Sequence, residues 1–170
     1  MLLTGFFALG AMGSLSACTA PIDGMIGITT DGSGQPSVVL QSCQQHVGGV
    51  TLYWSDDPAG SDSSHARLAE WKLPTGYGSP LQWPLLSAKP DGVTILKKPT
   101  ALVPGRIYSI YGWTRESPYY SATGPDFKAE DIVGLQSGDV LIGDLFGGKD
   151  PRAPIRVSLA KFRQLACASS

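Results

Sequence analysis

Beyond residue 24, apolar and polar side chains alternate in short runs, the two-residue period of half-buried strands. Residues 25–30 form the first run and stop at the turn cluster Asp31-Gly32-Ser33-Gly34. In residues 37–43, Val38 and Leu40 share one face while Val39, Gln41 and Cys43 share the other. In residues 49–55, Val50, Leu52 and Trp54 point inward and Thr51 and Tyr53 outward. A polar loop at 56–64 leads to a strand at 65–73, where Ala69, Trp71 and Leu73 alternate. Residues 75–90 are crowded with Gly and Pro and predict no element. Further strands are expected at 93–96, 107–114 and 139–143, with 117–125 turning away from the strand before it. Residues 127–135 hold a helical turn at 130–133. The tail changes period: Leu159, Phe162 and Leu165 recur every three residues, which predicts a short helix over 158–166 with Ser158 as its N-cap. The 21 glycines and 13 prolines supply turns for many short strands. The class is all-β, a sandwich or barrel with a short C-terminal helix.

The first residues follow another rule. Leu2, Leu3, Phe6, Phe7, Ala8, Leu9, Ala11 and Met12 form an apolar run without a charged side chain. Such a run matches the core of an export signal and falls short of the ~20 residues of a membrane span. It ends at Leu15-Ser16-Ala17-Cys18, and all four positions match the lipobox. The segment therefore resembles the signal peptide of bacterial lipoproteins. That resemblance implies that Cys18 receives a diacylglyceryl group, that residues 1–17 are removed, and that the mature chain starts at Cys18. Residues 18–23 then tether a domain to the extracytoplasmic face of the cell membrane. Two acyl chains suffice for stable anchoring at about 0.8 kcal/mol per buried methylene. One feature departs from the family pattern: no Lys or Arg precedes the apolar run. An ordinary secretory signal beside a chance cysteine is the alternative.

Removal of residues 1–17 leaves 153 of the 170, enough for one domain with its own core. With 13 basic and 14 acidic residues the chain carries no basic stripe, which argues against a nucleic-acid partner. If Cys18 is lipidated, Cys43 and Cys167 are left as an even pair in an oxidising compartment, where a disulfide is expected; two separate buried thiols are the alternative. Because Cys43 lies opposite Val38 and Leu40, the bridge would pin the tail to the outside of the domain. The division that follows is a β-domain over 24–145 and a C-terminal extension over 146–170.

Leu102-Val103-Pro104-Gly105-Arg106-Ile107-Tyr108 carries a second resemblance. A leucine, a Pro-Gly turn and a tyrosine opening the next strand resemble the corner before strand F of fibronectin type III domains. The resemblance implies a β-sandwich of fibronectin type III or immunoglobulin-like kind, in which the Tyr108 hydroxyl bonds back to backbone. It also places Trp54 as the core tryptophan of the third strand.

Candidate chemistry is sparse. Gly143-Asp144-Leu145-Phe146-Gly147-Gly148-Lys149-Asp150 has phosphate-loop spacing, but Asp150 stands where magnesium binding needs Ser or Thr, and Pro151 and Pro154 interrupt the helix that should follow. Asp56, Asp57 and Asp62 do not match a calcium loop and read as a solvated turn. His46 and His65 are the only histidines, with no metal-ligand spacing and no GxSxG elbow. No catalytic residue, metal or cofactor is assigned. Tyr111, Trp113, Tyr119 and Tyr120 gather on the outer face of the strand at 107–114 and just beyond it. Left bare, they would form a platform for sugar rings or for a partner protein. The tail, through Leu159 and Phe162, is expected to cover them.

These observations predict a lipid-anchored binding or structural module of the bacterial cell envelope, its partner an envelope protein or a glycan. An envelope hydrolase or carbohydrate-acting protein is the alternative.

Overall fold

The computed structural model describes residues 22–44, 46–55, 67–77, 79–87, 91–114, 121–144 and 153–168. Alternation builds its first hairpin. β1 (Ile22–Thr30) and β2 (Pro36–Ser42) run antiparallel from Gly24 opposite Ser42 to Thr30 opposite Pro36. The turn between them is organised by the Asp31 carboxylate, which accepts from the Ser33 hydroxyl at 2.6 Å and from the Ser33 and Gln35 N–H groups at 2.8 and 2.9 Å. Those hydrogen bonds, the Ser33 hydroxyl foremost, hold the carboxyl below its usual range.

β3 (Val47–Trp54) pairs with β4 (Arg67–Lys72) on one edge and with β7 (Tyr108–Thr114) on the other. β5 (Leu81–Pro84) adds to β2, and β6 (Thr94–Lys97) adds to β4. β8 (Ser121–Thr123) lies antiparallel to β7 and parallel to the start of β1, while β9 (Asp126–Phe127) also pairs with β7. After a short helix, α1 (Ala129–Ile132), β10 (Asp139–Ile142) joins the later half of β1 and carries β11 (Ile155–Ser158) on its far edge. The second helix, α2 (Leu159–Ala166), closes the described chain. The eleven strands form one sheet curled on itself, and the all-β class read from the sequence holds.

The curl encloses the main core. Ile26, Ile28, Val38 and Leu40 from β1 and β2 meet Val50, Leu52 and Ile110 from β3 and β7, all at 2 % exposure or less. Trp71 and Trp83 pack edge to face within it, ring centres 6.0 Å apart. These two are the central tryptophans. Trp54, expected in that role, sits partly buried at the margin beneath the Arg106 guanidinium, 5.1 Å from its ring. The reason is its register at the end of β3, opposite Tyr108, which takes the interior place.

Tyr108 behaves as its corner sequence predicts. Its hydroxyl accepts from the Val103 N–H at 2.5 Å and donates to the Val103 carbonyl at 3.2 Å. The buried ring packs on Phe127. The Glu130 carboxylate of α1 reaches back to the Gly105 N–H at 2.8 Å, so the helical turn read at 130–133 braces the same corner.

Besides the two-residue β9, three strands escape the sequence pattern. β5, β8 and β11 are three or four residues long, lie among prolines (Pro80 and Pro84, Pro118 and Pro125, Pro151 and Pro154), and show no extended alternation. Each is extended because a neighbour supplies its ladder: β2 for β5, β7 and β1 for β8, β10 for β11. The C-terminal extension thus enters the sheet as a strand before it becomes a helix. The sheet includes the last two residues of the segment read as a tether. β1 starts at Ile22, and Asp23 is buried, its carboxylate accepting from the Gln44 and His46 N–H groups (2.7 Å each) and from the Ser42 hydroxyl (3.1 Å).

Candidate functional site

The curled sheet has two outer regions, and the tail covers one of them. Ser158 caps α2 by accepting from the Lys161 N–H at 3.2 Å. The three-residue spacing then turns Phe162 onto β1, β2 and β10, where it is fully buried with Met25, Val39, Val140 and Ile142. Gly27 makes the seat: a Cβ there would lie 2.2 Å from Val140 Cγ1 and 3.4 Å from the Phe162 ring. Cys43 and Cys167 form a disulfide at the end of this helix, Cα atoms 5.7 Å apart. The expected bridge is present and holds the tail on the outer face, on the side of Val39.

Leu159 and Phe162 therefore do not cover the aromatic surface of β7, contrary to the expectation from the sequence. Tyr111 is 43 % exposed, and α2 packs instead over the outer face of β1, β2 and β10. The sequence signal for this placement is Val39, which shares the outward face of Cys43 and needs a cover of its own. Trp113 lies across the neighbouring strand, where a Cβ on Gly49 would meet its ring at 2.0–2.5 Å. Its indole N–H donates to the Thr51 hydroxyl at 3.2 Å.

Register brings a third ring to this face. Thr51 stands opposite Tyr111 and Tyr53 opposite Ser109, so alternation puts Tyr53, Thr51, Ser109, Tyr111 and Trp113 on one surface. Tyr53 and Tyr111 meet edge to face, 5.6 Å apart at 76°. Beside them runs an open groove of about 440 Å³, lined by Ile22, Tyr53, Ser109, Tyr111, Thr123 and Asp126 among others. The Asp126 carboxylate accepts from the Ser109 hydroxyl and from the Ser55 hydroxyl at 3.4 Å. Tyr53, Ser109 and Asp126 were not singled out as site residues from the sequence. The outward direction of Tyr53 is legible there; its meeting with Tyr111 depends on the β3–β7 register, which is not.

Tyr119, Tyr120, His65, the acidic loop residues Asp56, Asp57 and Asp62, and the tetrad ending at Cys18 lie outside the described residues. So does the phosphate-like loop beyond Asp144. His46 lies with its Nδ1 3.8 Å from an Asp23 carboxylate oxygen, in a loop that Asp23 organises. Among the described residues no three His, Cys, Asp or Glu side chains converge to hold a metal. No helix among them is long and apolar enough to cross a membrane. No known family model, curated protein or solved structure matches the chain.

Proposed function

We propose that this chain is a lipid-anchored, extracytoplasmic binding module of a bacterial cell envelope, carried on a fibronectin type III or immunoglobulin-like β-sandwich. The observation that carries the reading is the Cys43–Cys167 disulfide. A bridge of this kind belongs to an oxidising compartment. It also uses two of the three cysteines and leaves Cys18, at the end of the apolar run, as the odd one. Leu15-Ser16-Ala17-Cys18 then has one role that suits its position, the acceptor of a diacylglyceryl anchor.

Support for the sandwich comes from pairing and from the corner. β5, β2 and β1 face β4, β3 and β7 across a shared main core, although the β1–β8 pairing joins the two sides into one curled sheet. The Tyr108 hydroxyl holds the approach to β7 as the family's corner tyrosine does. Folds of this kind serve many roles, so the binding role rests on the open aromatic face rather than on the fold.

Replacing Cys18→Ala and fractionating cells tests the anchor. The native protein is expected with the membranes, its intact mass beginning at Cys18 and carrying acyl chains. The variant is expected in the soluble extracytoplasmic fraction. A variant that stays with membranes, or a native product that begins at Met1 without an adduct, would defeat the reading.

A further inference from the structure

We infer that the groove beside Tyr53 and Tyr111 is a glycan-binding site, selective for neutral or amino-bearing sugars. The argument starts from what the lining offers. Two tyrosine rings at 76° form adjoining walls, and the Tyr111 ring is 43 % exposed. Such a ring can cover the C–H face of a pyranose. Beside the rings the lining adds the hydroxyls of Ser121 and Thr123, which donate and accept, and the Asp126 carboxylate, which accepts and already holds the buried Ser109 hydroxyl. A sugar presents this same pairing: one apolar face and an edge of hydroxyls that need both donors and acceptors. The volume, about 440 Å³, falls in the range of small-ligand sites.

The lining also disfavours three other occupants. An anion, phosphate or acidic sugar, would meet Asp126, with no Lys or Arg among the described lining residues to offset it. An acyl chain would strip water from Asp126 and the hydroxyls and give no hydrogen bond in return. An extended peptide adds to a sheet at an open edge. The groove floor has none, because β7 lies between β3 and β8, and β8 between β7 and β1.

Location deepens the inference and rests on the proposed anchor. Ile22 lines one end of the groove and is four residues from Cys18, a reach of at most about 14 Å. The sugar would therefore be met next to the bilayer surface, at the base of the envelope layer. Binding itself does not need the anchor.

The test is an array of neutral, amino and acidic oligosaccharides probed with the full chain in detergent, alongside full-length Cys18→Ala. Both proteins are expected to bind neutral or amino members and to pass over the acidic ones. The best binder is then titrated by NMR, where signals of Tyr53, Ser109, Tyr111 and Thr123 should move. Tyr111→Ala is expected to weaken binding at least about tenfold while keeping cooperative unfolding; Leu96→Ala, exposed on β6, should leave it unchanged. No binding by either protein, binding confined to acidic members, shifts away from the groove, or full binding by Tyr111→Ala each overturns the site. Binding by both proteins, with Cys18→Ala unchanged in its membrane partition, keeps the site and rejects the anchor.

Discussion

The two outer regions of the sheet solve one problem differently. Each has a strand glycine whose missing Cβ lets an aromatic ring lie close to the backbone: Gly27 seats Phe162 and Val140, and Gly49 seats Trp113. On β1, β2 and β10 the ring comes from the tail, 135 residues further along the chain, and it is completely buried. On β3 and β7 the ring comes from the adjacent strand and stays partly open, with Tyr111 beside it exposed. An apolar sheet face needs a cover from elsewhere to become core; a face carrying its own amphipathic rings does not. The tail thus turns the first region into core, while Tyr111 in the second stays exposed.

That contrast can be broken most forcefully at the bridge. Cys43 and Cys167 are separated by 124 positions, and the chain-entropy model assigns such a loop about 5 kcal/mol. Replacing both by serine should lower the unfolding free energy measured in urea by a matching amount, with Trp113 and Tyr111 little altered in their NMR signals. A loss under about 1 kcal/mol would mean that α2 holds its place without the bridge. Phe162→Ala comes next. Emptying a fully buried aromatic site should cost about 3–5 kcal/mol in denaturant unfolding of the oxidised protein.

Effects on the open face should be smaller. Gly49→Ala places a methyl group inside the Trp113 ring and should cost about 1–3 kcal/mol, with a change in tryptophan fluorescence as the indole is displaced. Tyr111→Ala should change stability by no more than about 0.5 kcal/mol, since its ring lies outside both cores. If Tyr111→Ala proved as costly as Phe162→Ala, the division between a supporting face and a free one would fail.

Much of this arrangement was readable from residue order. Val38 and Leu40 against Val39 and Cys43 gave the two faces of β2, and Ser158, Leu159, Phe162 and Leu165 gave the terminal helix nearly to the residue. The hydroxyl of Tyr108 bonds where its Pro-Gly corner indicates. What was not readable depends on partners distant in sequence. Leu81 to Pro84 has no strand signature until β2 lies beside it, and Ser121 to Thr123 none until β1 and β7 flank it. The same limit misplaced the tail over Tyr111 and Trp113. Local spacing shows that Phe162 needs a surface, whereas only the position of the Val39 and Cys43 face says which one. Asp126 joins the groove through a two-residue strand, too short for any period to mark.

The double flanking of β1 has a mechanical consequence. Its first residues are hydrogen-bonded to β8 on one edge while β2 is bonded along the other, and Asp23 clasps the loop after β2. Ladder bonds lie across a strand rather than along it. Tension arriving through the residues before Ile22 would load those bonds together in shear, instead of unzipping them one after another. A pull on the amino end is thus resisted by many ladder bonds at once.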